Sequence, residues 1–300
     1  MRVWAALWTV YLVWGSTYLA IRYMVDTVPA LLGSGARFAL AGLLFAAFLL
    51  VSRGARALRI GPRELAGCAA VGGALLLGGN GLVAVAEDAG TPSGLAALVV
   101  ASVPLWVVVF RSLSADRIAP RAAVWVLAGF VGVALLLLPG ERPDDASVGG
   151  VLIVVAAAFC WASGSFASGR LRLPRDPFVS TAWQMLTGGA VMLVVGLVAG
   201  EGGAVAWGAF SAKSIAAFAY LVLVGSLVAF TAYVWLLQHA PISQVATYAY
   251  VNPVVAIALG ALFVSEEVTP LVLGAAAVIV VSVAGTIRQE AAPRPVVSRP

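Results

Sequence analysis

The sequence is poor in charged residues and nearly free of cysteine and histidine. Only 10% of its 300 residues are charged, whereas about 25% is usual for a soluble globular domain. Hydrophobic residues make up 62%, and the mean hydropathy is +1.03. A chain of this composition lacks the polar residues that would cover the surface of a soluble protein. We therefore expect an integral membrane protein whose functional residues lie inside the helix bundle.

The residue patterns that hold metals, cofactors or ATP are missing. His239 is the single histidine, so neither a histidine pair at metal-ligand spacing nor an H-E-x-x-H motif occurs. Cys68 and Cys160 both lie in apolar segments, where thiols usually act as small apolar side chains. No G-x-x-x-x-G-K-[ST] loop is present to hold ATP phosphates. We expect no cofactor, no metal and no ATP-driven cycle.

Apolar segments long enough to cross a ~30 Å hydrocarbon core as helices fill the chain. Ten are predicted, at residues 5–24, 32–51, 65–86, 92–111, 121–138, 148–168, 178–199, 213–236, 242–264 and 270–286. An even number of crossings places both termini on one side of the membrane. The first segment is too rich in Trp, Tyr and Ser for the core of a signal peptide, so we expect it to be retained.

The positive charges predict the orientation of these segments. With the N-terminus inside, fourteen of the eighteen Lys and Arg residues are cytoplasmic, and the exceptions are Arg22, Arg37, Arg142 and Lys213. This bias favours a cytoplasmic location for both termini. The excess of arginine over a single lysine is typical of a high-GC bacterial genome, so we expect a multi-pass protein of the bacterial cytoplasmic (inner) membrane. The net charge of +5 is then a topology signal, and nucleic acid is not an expected partner.

The chain contains an internal repeat. Pro92 and Pro104 match Pro241 and Pro253 at an offset of 149 residues, and Trp14-Gly15-Ser16 matches Trp161-Ala162-Ser163 at an offset of 147. Five crossings per repeat would place the second copy upside down relative to the first, which is the inverted repeat found in many secondary transporters. We predict one repeat at residues 1–143, a second at 144–287, and a disordered cytoplasmic tail at 288–300. Pro104 and Pro253 are also hinge candidates, because a proline inside a helix removes a backbone hydrogen bond.

Several short motifs resemble those of one family. They are Trp14-Gly15-Ser16-Thr17, the stretch from Gly79-Asn80-Gly81-Leu82 to Ala86-Glu87, Pro92-Ser93-Gly94, Val103-Pro104-Leu105, Asn252-Pro253 and Ser265-Glu266. Together, over residues 5–286, they resemble the EamA-type branch of the drug/metabolite transporter superfamily. The resemblance implies an all-α integral membrane fold of ten transmembrane helices in two inverted five-helix repeats. It also implies a central cavity lined by helices 1–4 and 6–9, with helices 5 and 10 outside it.

Polar and aromatic residues recur on one face of several predicted helices. Tyr11, Trp14 and Tyr18 have helical spacing in the first span, and Gln244, Tyr248 and Asn252 have it in the ninth. Buried polar groups in a membrane bundle usually face its interior or a water-filled cavity. We predict that a small-molecule substrate is bound by Tyr11, Trp14, Tyr18, Asn80, Trp161, Gln184, Gln244, Tyr248 and Asn252.

Structural roles are open alternatives for these residues. Asn80, Gln184 and Asn252 could instead form hydrogen bonds between helices, worth ~0.6–2 kcal/mol each. Aromatic residues at span ends are commonly interface anchors, whereas Trp14 and Trp161 fall near the middle of their spans. Both roles, lining the cavity and packing between helices, are therefore open for these residues.

Charged residues near the predicted outer ends suggest gating or proton coupling. The candidates are Arg22, Arg37, Glu87 and Glu266, and an ion pair between Arg37 and Glu87 would offset part of the cost of placing charges at membrane depth. A solvated rim is the alternative. After the fourth span Asp116-Arg117 replaces the acidic residue of the family pattern, whereas Glu266 keeps its counterpart after the ninth. No acid lies at the centre of a span, so uncoupled transport stays open beside proton coupling.

The function predicted is secondary transport by alternating access through a central cavity. Relatives of the resembled family export or exchange amino acids, metabolites and amphipathic drugs, and we expect an exporter of such small molecules. The aromatic lining with few central charges suggests neutral, zwitterionic or amphipathic substrates. Partners would be membrane lipids, the substrate and, in the coupled case, protons, with the protein a monomer or homodimer. A transporter-derived sensor and a membrane-embedded enzyme are the rival classes, although no catalytic constellation supports the enzyme.

Overall fold

The computed structural model describes residues 1–114, 120–135, 147–240, 245 and 247–291. Within these ranges the regular structure is helical and no strand occurs. The ten long helical segments are α1 (Arg2–Val25), α2 (Ala30–Arg53), α3 (Pro62–Asp88), α4 (Ser93–Leu113), α5 (Pro120–Leu135), α6 (Val148–Ser168), α7 (Pro177–Val198), α8 (Ala212–His239), α9 (Tyr248–Val264) and α10 (Pro270–Ala291). Short 3₁₀ helices lie at Ala55–Leu58, Glu201–Ala204 and Trp207–Ala209.

Seven of these helices are long and apolar enough to cross a membrane: α1, α2, α3, α4, α6, α7 and α8. The helices α5, α9 and α10 contain shorter apolar stretches, at Ala123–Leu135, Val251–Val264 and Pro270–Thr286. The all-helical class predicted from hydropathy is confirmed. The count of ten crossings stays a prediction.

Two helices contain long π-helical segments. Residues Gly73–Gly81 of α3 and Leu221–Phe230 of α8 both adopt this wider winding. A π segment is rare and is frequently found at functional sites, because it shifts the side chains that follow it around the helix axis. Hydropathy patterns do not distinguish it from an α-helix, so the sequence gives no warning of either segment.

The two hinge candidates occupy different local structures. Helix α4 is interrupted at Ala101 and Ser102, and Pro104 lies in the first turn after the interruption. Proline is tolerated in a first turn because the amide it lacks would have no helical partner there. Pro253 lies inside α9, which continues through it. Neither arrangement tests hinge motion, so both hinge roles stay predictions.

Glycines bring α7 against α2 and α3. A Cβ added to Gly189 would lie 2.5 Å from the amide nitrogen of Ala39, and one added to Gly188 would lie 2.7 Å from the carbonyl oxygen of Gly72. These distances are shorter than a van der Waals contact, so only glycine allows the backbones to approach so closely. The helices α5 and α10 pack mainly on each other, for example where Gly132 meets Ile279. The other helices surround the interior of the bundle.

Candidate functional site

A cavity lies between helices α1, α2, α3, α4, α6, α8 and α9. The centre of a water-sized sphere can move within about 50 Å³ of this cavity, which is well below the volumes of about 300–1,000 Å³ usual for small-molecule sites, so the cavity is narrow. The lining residues are Trp14, Thr17, Tyr18, Ile21, Arg37, Phe38, Gly79, Asn80, Val83, Val100, Ala157, Trp161, Gly225, Phe230, Tyr248 and Asn252. Gly79 and Asn80 belong to the π segment of α3, and Gly225 and Phe230 to that of α8.

Aromatic rings from four helices cluster at this cavity, where Trp14, Trp161 and Tyr248 line it and Tyr233 packs against them without being part of the lining. The Trp14 ring lies 5.3 Å from Trp161 and 5.5 Å from Tyr248, in edge-to-face geometry, and 4.8 Å from Tyr233. The hydroxyl group of Tyr233 is 2.8 Å from the hydroxyl oxygen of Ser165. Aromatic pairs in such arrangements contribute about 0.5–1.5 kcal/mol each beyond the burial of their area. The rings of Trp14, Trp161 and Tyr248 therefore pack together and offer apolar faces to a ligand.

The two cavity asparagines differ in their hydrogen bonds. In the orientation that satisfies its amide, Asn252 donates to the backbone oxygen of Tyr11 at 3.0 Å and to that of Tyr248 at 3.3 Å. Asn80 is half-buried and has no hydrogen-bond partner among the described residues. Asn252 therefore joins α9 to α1, whereas the amide of Asn80 is free to meet a ligand.

Arg37 lines the cavity, and only 2% of its surface is exposed. Its Nε donates to Oγ of Ser226 at 2.9 Å, while its Nη1 has no partner within the described part of the chain. Gly225 makes room for the guanidinium group, since a Cβ there would lie 3.2 Å from Nη2. The ion pair predicted between Arg37 and Glu87 is not formed, because Arg37 turns toward α8 instead. That prediction was wrong.

Tyr11 and Gln184 are not part of the cavity lining. The hydroxyl group of Tyr11 is hydrogen-bonded to that of Thr247, and the amide of Gln184 donates to Oγ of Ser180 at 2.9 Å on the same helix. Gln184 sits where α7 docks on Gly72 of α3, so the glycine contacts that fix α7 keep this side chain out of the cavity. Gln244 lies outside the described residues, as do Asp116 and Arg117. The binding roles of all these residues stay predictions.

The carboxyl group of Glu87 is buried inside the described part of the chain. Its side chain has no exposed surface, and neither oxygen has a partner among the described residues. Arg22 lies close by, but its Nη1 donates to the backbone oxygen of Glu87 at 2.9 Å rather than to the carboxyl group. Burying a carboxyl group without partners costs free energy, so such a group usually has a functional reason.

Glu266, by contrast, is fully engaged with α4. Its Oε1 accepts from the backbone amide and the hydroxyl group of Ser93, each at 2.7 Å, and its Oε2 accepts from the amide of Gly94 at 2.9 Å. Glu201 meets α2 in the same way, accepting from the amides of Leu31 at 3.0 Å and Leu32 at 2.7 Å. A carboxylate at a helix N-terminus satisfies free amides and the helix dipole. Both acids therefore link the second half of the chain to the first.

Sequence reasoning did not find Tyr233, Phe230 or the cavity position of Arg37. Tyr233 and Phe230 lie three residues apart on α8, and Ser226 lies four residues before Phe230. That spacing marks one helical face and could have identified them. The π segment, which contains Ser226 and Phe230 and ends three residues before Tyr233, could not be foreseen; Tyr233 beyond it lies against Trp14 and Trp161.

Comparison with known proteins identifies the family. The model of the EamA-like transporter family matches residues 3–138 and again residues 148–288. An uncharacterized inner membrane transporter of Escherichia coli (strain K12), YedA, is 36% identical over 261 residues, which cover 87% of this chain and 82% of YedA. A probable amino-acid metabolite efflux pump of Salmonella typhimurium (strain LT2) is 24% identical over 90% of this chain and 89% of its own length.

A solved crystal structure supports the fold alone. It shares 22% sequence identity and a TM-score of 0.65, and the match covers 94% of this chain and 96% of that one. The family match spans almost the whole chain, and its relatives are named as membrane transporters. The chain therefore belongs to the EamA-like transporter family.

Proposed function

We propose that this protein is a secondary exporter that carries small organic metabolites through the central cavity by alternating access. The observation that carries the proposal is the cavity itself, which is built from helices of both halves and lined by aromatic residues and a few polar groups. A site between two halves can open to either face when one half rocks against the other. A single chain forms the cavity, so the proposal is compatible with a monomer or a homodimer. Both termini are proposed to be cytoplasmic.

Two features of the chain support an inverted repeat of 1–143 and 144–287. The family model matches once in each half. The π segments begin at Gly73 and Leu221, an offset of 148 residues, which agrees with the offsets of 147 and 149 between the repeated tryptophan and proline motifs. Corresponding helices of the two halves therefore carry the same unusual winding, and both windings border the cavity.

Glu87 is the proposed site of proton coupling, and Glu266 is assigned to structure. Both carboxylate oxygens of Glu266 accept hydrogen bonds from α4, whereas the carboxyl group of Glu87 has no partner within the described residues. A carboxyl group at this depth could take up a proton in one state of the cycle and release it in another. Flux by a Glu87→Gln variant should lose its response to a pH gradient, while flux by Glu266→Gln should keep that response.

Flux into proteoliposomes tests the proposed function. The purified protein would be reconstituted into lipid vesicles, and the vesicles would be preloaded with amino-acid metabolites. These are chosen because one relative is named as a probable amino-acid metabolite efflux pump. We expect saturable exchange that needs no ATP. A flux that never saturates would indicate a channel, and the absence of flux for every class of small molecule would favour a transporter-derived sensor.

A further inference from the structure

The charge balance of the cavity is unusual for a membrane interior. Among its lining residues Arg37 is the single charged side chain, and none of the others is acidic. Glu87 is buried but is not part of the lining. Isolated charges inside a membrane bundle are costly and are normally paired. The described part of the lining therefore has a charge of about +1, with no counter-ion among its own side chains.

The bonds of Arg37 leave donors for a ligand. Its Nε is fixed by Ser226, which holds the plane of the guanidinium group, and its Nη1 has no acceptor within the described part of the chain. Arginine presents its N–H groups in a planar fork that matches the two oxygens of a carboxylate. Because Gly225 of α8 has no side chain, the guanidinium group of Arg37 fits beside it.

The aromatic part of the lining determines what the rest of the ligand can be. Trp14, Trp161 and Tyr248 present rings that suit an apolar or aromatic body. Asn80 adds one free amide at the cavity edge. An ammonium group would find no carboxylate in this lining, and a doubly charged phosphate would meet only one cation, so its second charge would be buried without a partner.

We propose, on the basis of the transport function proposed above, that the substrates are organic monocarboxylates with an apolar or aromatic body, and that Arg37 binds their carboxylate group. Of the neutral, zwitterionic or amphipathic substrates expected from the sequence, this proposal keeps the amphipathic ones and assigns them a net negative charge. Arg37 is thereby a specificity-determining residue rather than an outer gate.

Four ligands with one phenylalkyl skeleton test the inference: 3-phenylpropanoate, phenylalanine, 2-phenylethylamine and 3-phenylpropanol. Dissociation constants would be measured by calorimetry with the wild-type protein in lipid nanodiscs. We expect 3-phenylpropanoate to bind at least about 10-fold more tightly than the amine, since hydrogen bonds to charged groups contribute about 1.5–3 kcal/mol. Equal or tighter binding of the amine, or no binding of the carboxylate, overturns the inference. Tighter binding of 2-phenylethyl phosphate would overturn the choice of a monocarboxylate.

Variants link the preference to Arg37. Arg37→Gln should weaken carboxylate binding by about 10- to 100-fold while changing the affinity for 3-phenylpropanol little. Arg37→Lys keeps a cation but loses the planar fork, so it should weaken carboxylate binding by about 10-fold. This variant replaces Arg37→Gln in the test if the glutamine variant does not fold. The control Arg56→Gln removes an exposed positive charge far from the cavity. If the folded Arg37 variants bind the carboxylate as tightly as the control does, the inference is wrong.

Flux in proteoliposomes separates the two proposals. Carrier-mediated flux of the amine or of phenylalanine in preference to the carboxylate would leave the transport function standing and would overturn the assignment of Arg37. Carboxylate binding that depends on Arg37 without any flux would instead support the site and contradict the transport function.

Discussion

Replacing Glu266 by glutamine tests whether this acid holds the two halves together. The carboxylate accepts three hydrogen bonds from Ser93 and Gly94 at the start of α4, at 2.7–2.9 Å. Glutamine keeps one acceptor oxygen but loses the negative charge and the second acceptor. Hydrogen bonds to charged groups contribute about 1.5–3 kcal/mol, and the loss of a cap costs about 0.5–2 kcal/mol. We expect the free energy of unfolding to fall by about 2 kcal/mol.

The measurement is reversible unfolding in mixed micelles of dodecyl maltoside and dodecyl sulfate, followed by circular dichroism. The neighbouring Glu267→Gln is a matched control, because it removes the same charge from an exposed side chain. The control should change stability by less than about 0.5 kcal/mol. Equal losses in the two variants would refute the capping role and reopen Glu266 as a coupling residue.

Three further predictions concern packing, the cavity amides and topology. Gly189→Ala should destabilise by about 1–3 kcal/mol in the same unfolding assay, because its Cβ would lie 2.5 Å from a backbone nitrogen of α2, whereas Gly208→Ala, which has open space around it, should not. Asn252→Leu should destabilise the protein by about 1–3 kcal/mol, because it loses hydrogen bonds to two backbone carbonyls. Asn80→Leu should instead weaken ligand binding with little loss of stability. The reverse pattern would contradict the roles assigned to the two residues. Alkaline phosphatase fused after Arg288 should be inactive, and activity there would overturn the proposed orientation.

The helical segments were predictable because hydropathy reports them directly. The predicted span 148–168 coincides with α6, and the predicted span 178–199 lies within one residue of α7. Residues at helical spacing on α1 also indicated a functional face, and Trp14 and Tyr18 from that face line the cavity. Periodicity succeeds here because side chains three, four and seven residues apart share one side of a helix.

Other parts of the site depend on contacts that a sequence pattern does not encode. Both Gln184 and Asn80 were amide candidates for the site, but Gln184 bonds to Ser180 one turn earlier on α7 and is not part of the lining. Arg37 was expected to meet Glu87 because opposite charges attract, yet it bonds to Ser226 on α8. The π segment of α8 contributes Gly225 and Phe230 to the cavity lining, and no residue pattern in the sequence predicts that winding.

Cysteine accessibility from the two sides of the membrane tests the central claim of alternating access most directly. Ala157 lines the cavity and is 1% exposed, so Ala157→Cys in a background without Cys68 and Cys160 places a small thiol in the proposed pathway. Val131→Cys on the exposed face of α5 is the control. In sealed vesicles of either orientation, a membrane-impermeant thiol reagent should label the Ala157→Cys variant from both sides and leave the control unlabelled. Labelling from one side only, under every condition of substrate and pH, would contradict transport through this cavity.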